Sequence, residues 1–279
     1  MKKVDLSLYD TALPIYKIER CNRNRNQIGY GGEGAVFRLD EKTVYKTFDF
    51  TRDDKLINHK FQKIEALGKL RDKNFAFPTG LVGYEDEKKE GYTMKFVHVD
   101  EEISDFWMLL NSQELIKVRK LLDYVLKADM AIKRAHDMGI IIGDIRGENI
   151  MIDDEDEVVF IDTDNFSYRE FTHEVVDKRM CYLEKIYGHQ FSRADRDIYL
   201  YSMMALEILL SAPFIEKNQS DDFFKALVSK LNVSREVKNA LRTILSDAED
   251  KPYIGPILDE INWDEPVLNR EDRQKLMFW

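Results

Sequence analysis

The chain has 279 residues, 44% of them hydrophobic, with 42 Lys and Arg against 52 Asp and Glu and a formal net charge of −10. That length can bury a large core and fits one two-part domain better than several independent ones, and the acidic balance argues against nucleic-acid binding as the main function. The 2 cysteines and 5 histidines, without paired spacing, form neither a disulfide framework nor a zinc site.

Met1–Tyr9 lacks the apolar core of a signal peptide. The most apolar stretch, Ile198–Phe214, contains Glu207 and falls short of the ~20 residues a membrane span needs, so it reads as a buried helix. The expected location is the cytoplasm, with neither nucleic acid nor membrane as a partner.

In chain order, residues 1 to about 22 read as a polar lead-in, and strand signals follow to Phe50. Ile28–Phe37 is IGYGGEGAVF, in which Gly29, Gly31 and Gly34 form G-x-G-x-x-G with Gly32 inside it. A dinucleotide fold would need a helix directly after the glycines. Here they run instead into Val36, Phe37 and Leu39, a turn at Asp40-Glu41, and Thr43-Val44-Tyr45, which predicts a hairpin. Lys46 ends its second strand, TVYKTF. Asp53–Leu70 predicts a helix, with Leu56, Ile57, Phe61, Ile64 and Leu67 at helical spacing and Glu65 placed 19 residues after Lys46. Phe77-Pro78 and Leu81-Val82 suggest a strand, Glu85–Glu90 a charged turn, and Gly91–Val97 (GYTMKFV) another strand. Leu115–Ala135 predicts a long helix running into AHDMG, with Gly139 as its C-terminal cap.

The most informative segment is Ile142–Asp164, IGDIRGENIMIDDEDEVVFIDTD. It carries Asp144, Asn149 five residues on, the apolar triplet Ile150-Met151-Ile152, an acidic turn, a second apolar run from Val158 to Ile161, and Asp162. A polar segment, Asn165–Glu184, follows. Asp197 then opens the apolar helix DIYLYSMMALEILL, and ILSDAEDKPYIGPILDEI carries Lys251-Pro252.

In order and spacing, the glycines, Lys46, Glu65, Asp144, Asn149 and Asp162 resemble the protein-kinase-like superfamily, most closely divergent bacterial serine/threonine protein kinase domains, over about Gln27–Ile261. The resemblance implies an α+β, two-lobed protein-kinase-like fold. A small β-rich lobe with one key helix would cover residues 1–97, including a short N-terminal extension, and a larger helical lobe residues 98–279. It implies a phosphotransferase that uses ATP with Mg2+, or Mn2+ in its place. Ile28, Gly29, Gly31, Gly32 and Gly34 would cover the triphosphate, and Lys46, oriented by Glu65, would hold its α and β groups. Val36, Val44 and Met151 would sandwich the adenine, with Met94 guarding the pocket and Lys95, Phe96 and Val97 presenting backbone groups. Asn149 and Asp162 would bind metal. Asp144 would align the acceptor hydroxyl and take its proton late, with Arg146 against the γ-phosphate. A structural role is expected for His136, a hold on the catalytic-loop backbone for Asp197, and a salt bridge between Glu184 and Lys251.

Some positions depart from the family pattern. Ile142-Gly143 replaces the His-Arg before the catalytic Asp, which removes the usual partner of an activation-loop phosphate and implies activity without loop phosphorylation. Asp162-Thr163-Asp164 stands where the family has D-F-G, and Asp164 reads as a loop cap in preference to a metal ligand. A Gly before the catalytic Asp also occurs in small-molecule kinases such as the aminoglycoside and choline kinases, so the acceptor stays open. Arg146 and a full-length activation segment favour a protein hydroxyl. The alternatives are a small-molecule kinase and a nucleotide-binding pseudokinase that serves as an interaction module. The C-terminal Leu276–Trp279 reads as lobe packing.

Overall fold

The alternating stretch from Gln27 to Phe48 forms three consecutive strands at one edge of a seven-stranded sheet in the computed structural model, which describes residues 3–4, 13–17, 26–31, 34–48, 54–83, 89–99, 104–111, 116–172, 192–212, 220–246 and 248–278. Its strands are β1 (Lys3–Val4), β2 (Ile15–Lys17), β3 (Gln27–Gly31), β4 (Gly34–Arg38), β5 (Thr43–Phe48), β6 (Gly80–Gly83) and β7 (Lys89–Lys95). They lie in the order β1-β2-β6-β7-β5-β4-β3. Only β2 and β6 pair in parallel, with Ile15 opposite Leu81; each other pair is antiparallel. The lead-in thus supplies two strands, too short to show an alternating pattern in the sequence. Leu13 and Ile15 anchor it in the core. Of the expected charged turn, Lys89 and Glu90 belong to β7 and residues 84–88 lie outside the described residues.

Strand β5 is held from both sides by backbone that only glycine permits. A Cβ on Gly34 would lie 1.8 Å from the Thr47 carbonyl oxygen, and one on Gly91 would lie 1.9 Å from that of Lys46. The last residues of β5 are fixed tightly as a result. Helix α1 (Asp54–Leu67) covers a core built from Phe61, Ile64, Val44, Leu81, Tyr92, Met94 and Val159. Residues 159–164 and 168–172 join residues 1–98 in this compact unit. Strand β10 (Val158–Phe160) runs into it, and there the Phe160 N–H donates to Asn74 O at 2.8 Å while its carbonyl accepts from Ala76 N at 2.9 Å.

The second unit comprises residues 99–158, 165–167 and 173–279. Its described helices are α2 (Phe106–Asn111), α3 (Val118–Asp137), α4 (Arg193–Leu210), α5 (Asp221–Lys230), α6 (Arg235–Ile244), α7 (Gly255–Asp259) and α8 (Arg270–Met277). The apolar face of α3, including Tyr124, Val125, Ala128, Ala131 and Ile132, is buried. Helix α4 is buried nearly all round, with Ser192 capping its start and Ser211 in the left-handed conformation at its end. The Tyr201 hydroxyl donates to Val125 O at 2.5 Å. Short strands β8 (Ile140–Ile141) and β9 (Ile150–Ile152) flank the loop of interest. The chain is thus a mixed α and β protein, and no described helix is long and apolar enough to cross a membrane. At the C-terminus Leu276 is buried, whereas Met277 and Phe278 are exposed, so of the described tail residues only Leu276 packs.

Asp129, on the buried face of α3, accepts from the Gly255 N–H at 3.0 Å. Burial pushes its carboxyl up to about 6, against the opposing pull of the Gly255 and Ile254 amides, which favour the charged form. The folded protein therefore binds this proton more tightly than the unfolded chain does. Its contribution is most favourable at low pH and is lost as pH rises from the ordinary carboxyl value towards about 6. Asp129→Asn keeps an acceptor without the charge. Thermal unfolding at about pH 4 and about pH 7 is expected to show the variant gaining roughly 2–3 kcal/mol on the wild type across that interval.

Candidate functional site

Lys46 lies two residues before the end of β5 with 4% of its surface exposed. Its Nζ is 3.2 Å from Asp162 Oδ1 and 3.0 Å from Asp164 Oδ1. Asp162 turns the chain after β10 with φ 55°, a left-handed conformation that Asp tolerates better than most residues and that marks local strain. The Thr163 hydroxyl donates to Ala76 O at 3.0 Å in a fully buried position, so a polar residue occupies this packing site with its hydrogen bond made.

Asp164 is a charge centre, where the sequence favours a loop cap over a metal ligand. It is 1% exposed, its Oδ1 accepts from the Tyr92 hydroxyl at 2.7 Å, and Lys60 Nζ lies 3.2 Å from its Oδ2. The Lys60 contact has an ion-pair distance without hydrogen-bond alignment. Burial alone would raise this carboxyl, but the Lys46 and Lys60 charges, with the hydrogen bonds from Tyr92 and Lys46, outweigh it and hold the group well below the usual carboxylate range.

Glu65 is half-buried on α1. Five residues separate it from Lys60, which puts the two side chains roughly 140° apart around the helix. Lys60 shares the face of Ile64 and Leu67, and that phase carries its ammonium to Asp164. Lys60 and Tyr92 are the site residues that the sequence reading missed. No signal in the sequence marks either residue: Lys60 reaches Asp164 through the phase of α1, and Tyr92 through its place opposite Lys46 on the ladder.

The other residues expected to meet a nucleotide divide as follows. Ile28 is exposed, Gly29 faces Val36, Gly31 faces Gly34, and Gly32 lies outside the described residues. Val36 faces Lys46 across the ladder, and Val44 faces Met94. Val44 and Met94 are buried in the apolar core, with Val36, Phe96 and Val97 packed against it. Lys95 Nζ donates to Lys73 O, and the Arg38 guanidinium sits 3.7 Å over the Phe96 ring. Met151 is half-buried on β9 of the second unit.

In that unit the loop after β8 forms a second polar centre. Asn149 Nδ2 donates to the Asp144 carbonyl at 3.1 Å and to Asp144 Oδ2 at 3.2 Å. Half-exposed Arg146 places Nε 2.6 Å from Asp144 Oδ1, a charge contact without hydrogen-bond alignment. Gly143 has φ +77°, so a side chain there would strain the turn that presents Asp144. The buried Asp197 carboxylate accepts from Ile142 N at 2.8 Å, Gly143 N at 2.9 Å and His136 Nε2 at 3.0 Å. His136 Nδ1 is 2.8 Å from the Tyr253 hydroxyl, which makes the ring a structural bridge. Gly147 packs against the backbone of α2, where an added Cβ would lie 2.6 Å from Trp107 N. Lys251 is buried, with Nζ on Ser246 O at 2.5 Å; its expected partner Glu184 lies outside the described residues.

Among the described residues, no group of three or more His, Cys, Asp or Glu is placed to hold a metal ion. Comparison with protein families finds none that matches the chain, and comparison with curated proteins finds no significant relative. The functional reading therefore rests on the residues themselves.

Asp197→Ala removes the acceptor of two consecutive amides. Each buried N–H left unsatisfied costs about 1–3 kcal/mol. Hydrogen exchange at Ile142 and Gly143 should accelerate by about tenfold or more while amides in the seven-stranded sheet stay as protected as before.

Proposed function

We propose that this chain is a Mg-ATP-dependent phosphotransferase of the two-lobed protein-kinase-like type, which transfers the γ-phosphoryl group to a serine or threonine hydroxyl of a protein. The supporting observation is the 3.2 Å approach of Lys46 Nζ to Asp162 Oδ1 across 116 positions of sequence. It brings a cation suited to phosphate oxygens together with a carboxylate suited to a metal, at the end of a strand fixed by Gly34 and Gly91.

Lys46 would pair with the α and β phosphates, and the turn between β3 and β4 would cover them with backbone N–H groups. Asp162 and Asn149, each within its own unit, carry oxygens of the kind magnesium takes. A magnesium ion would neutralise charge on the transferring group. Asn149 turns its amide nitrogen to Asp144, which leaves its oxygen for that task. Asp144 would orient the acceptor hydroxyl and take its proton late, which calls for position more than basicity. Arg146, held at Asp144 and half-exposed, would meet the γ-phosphate.

The decisive experiment follows label from γ-labelled ATP into generic protein acceptors and, separately, into a panel of amino and hydroxyl metabolites. Label is expected on protein, falling about 10²–10³-fold or more in Asp162→Ala and about 10²–10⁴-fold in Asp144→Asn. Label on a metabolite alone would replace the protein acceptor with a small molecule. ATP binding without any transfer would make the chain a nucleotide-binding module.

Activity is also expected without loop phosphorylation, because Gly143 stands where an Arg would meet the phosphate. Of the loop hydroxyls Ser167, Tyr168 and Thr172, the first two are buried and only Thr172 is exposed. Thr172→Ala should therefore retain activity within about twofold, as an ordinary surface substitution does. A much larger loss would mean that a phosphate is used.

A further inference from the structure

The sequence assigns Asp164 no part in holding Lys46. The geometry points to one: we propose that Asp164 is a positioning residue that fixes the Lys46 ammonium, a role that rests on the phosphotransferase reading for its purpose but not for its geometry. Asp164 Oδ1 takes two donors at once, Lys46 Nζ at 3.0 Å and the Tyr92 hydroxyl at 2.7 Å. The phenol is itself immovable, since Tyr92 is fully buried and faces Lys46 across the β5–β7 ladder. Lys60 Nζ lies 3.2 Å from the second oxygen, so the carboxylate is bracketed by cations on both sides. Lys60 is held in turn by the Phe48 ring, 4.0 Å from its ammonium, and Phe48 ends the same strand that carries Lys46.

The arrangement sets the direction in which Lys46 points. Its stem leaves β5 at a backbone position clamped by Gly91, and its ammonium ends on an oxygen whose remaining freedom is removed by Tyr92. Asp162 Oδ1 shares the ammonium at 3.2 Å and is about one-third exposed, whereas Asp164 has no exposed side-chain surface. The two carboxylates therefore divide the work. The more open Asp162 remains available to a ligand, and the enclosed Asp164 keeps its hold on Lys46 whether or not a ligand is present. Replacement of the small residue of D-F-G by an acid is on this view what supplies the anchor.

Two readouts test this. The first needs no nucleotide: the Lys46 side-chain NMR signal is followed through a pH titration in wild type, Asp164→Asn and Glu65→Gln. Loss of the anchoring charge should lower the Lys46 titration midpoint by about one pH unit or more in Asp164→Asn, with Glu65→Gln as the reference for losing another nearby carboxylate. An unmoved midpoint in Asp164→Asn overturns the assignment. The second readout is a double-mutant cycle on phosphoryl transfer. Asp164→Asn alone should lower kcat about 100-fold, the loss that a small misplacement produces, and should add little once Lys46→Met is present, because both act through one ammonium. Additive losses would count against action through Lys46. If Asp164→Asn does not fold, as judged by circular dichroism, a crystal structure of the wild type with a non-hydrolysable ATP analogue decides. Lys46 on Asp164 supports the anchor, and Lys46 on Glu65 alone overturns it. Should the titration behave as expected while wild type transfers no phosphoryl group, the anchor stands and the phosphotransferase reading falls.

Discussion

A lysine ammonium buried in a small sheet domain is the constraint from which most of the first unit follows. Lys46 is 4% exposed, and an isolated charge at such a depth would be too costly to keep. Its carboxylate partners come from residues 162 and 164, which arrive after the chain has passed through residues 99–158 of the other unit. The returning segment is then tied down at every step. Phe160 exchanges backbone hydrogen bonds with Asn74 and Ala76, Thr163 donates to Ala76 O, and Asp164 receives Tyr92. Residues 159–164 thereby belong to a domain whose other elements are nearly all earlier in the chain. The apolar contribution comes from Val159 in the core and from the stacked Phe75 and Phe160 rings.

The value of such an ion pair lies in its surroundings. Arg119 and Asp264 make a close bidentate contact, yet their side chains are 72% and 64% exposed, and such pairs stabilise proteins little. Around Asp164 the same chemistry operates where water is excluded. Every donor counts for more there, and removing any one partner leaves a charge with no recourse to solvent. This makes the cluster poor as a general source of stability and good as a device that fixes geometry. It also explains the tyrosine. A buried phenol needs an acceptor, the carboxylate needs more donors than one lysine supplies, and the 2.7 Å bond meets both requirements.

How much of this was legible in the sequence depended on the range of the interactions involved. Local patterns were readable: the alternation around Val36 and Val44 gave the hairpin, the spacing of Phe61, Ile64 and Leu67 gave α1, and the run after Asp197 gave α4. The spacing of Asp144, Asn149 and Asp162 pointed to one catalytic loop with its metal ligands, and of these Asp144 and Asn149 do meet. Short strands β1 and β2 were not readable, because two or three residues carry no period. The roles of Lys60, Tyr92 and Asp164 were hidden for a different reason. Each is an ordinary residue within its own element, and only the register of β7 on β5 and the rotational phase of α1 bring the three together.

The two polar centres share a physical logic that bears on how each could work. In both, a fully enclosed carboxylate fixes a neighbouring carboxylate, cation or loop. Asp164 holds Lys46 beside Asp162, and Asp197 takes the amides of Ile142 and Gly143 immediately before Asp144. Asp195 does the same for a third segment, accepting from the Lys251 N–H at 2.8 Å. An ionised carboxylate in the interior is tolerated only when its lone pairs are filled, so each of these residues strongly penalises any loop conformation that withdraws a donor. A hydrophobic contact could bury the same loops, but it would not specify which backbone amide points where. The polar groups at these centres are set by direction more than by burial, and buried aspartates with several donors are how the sequence provides it.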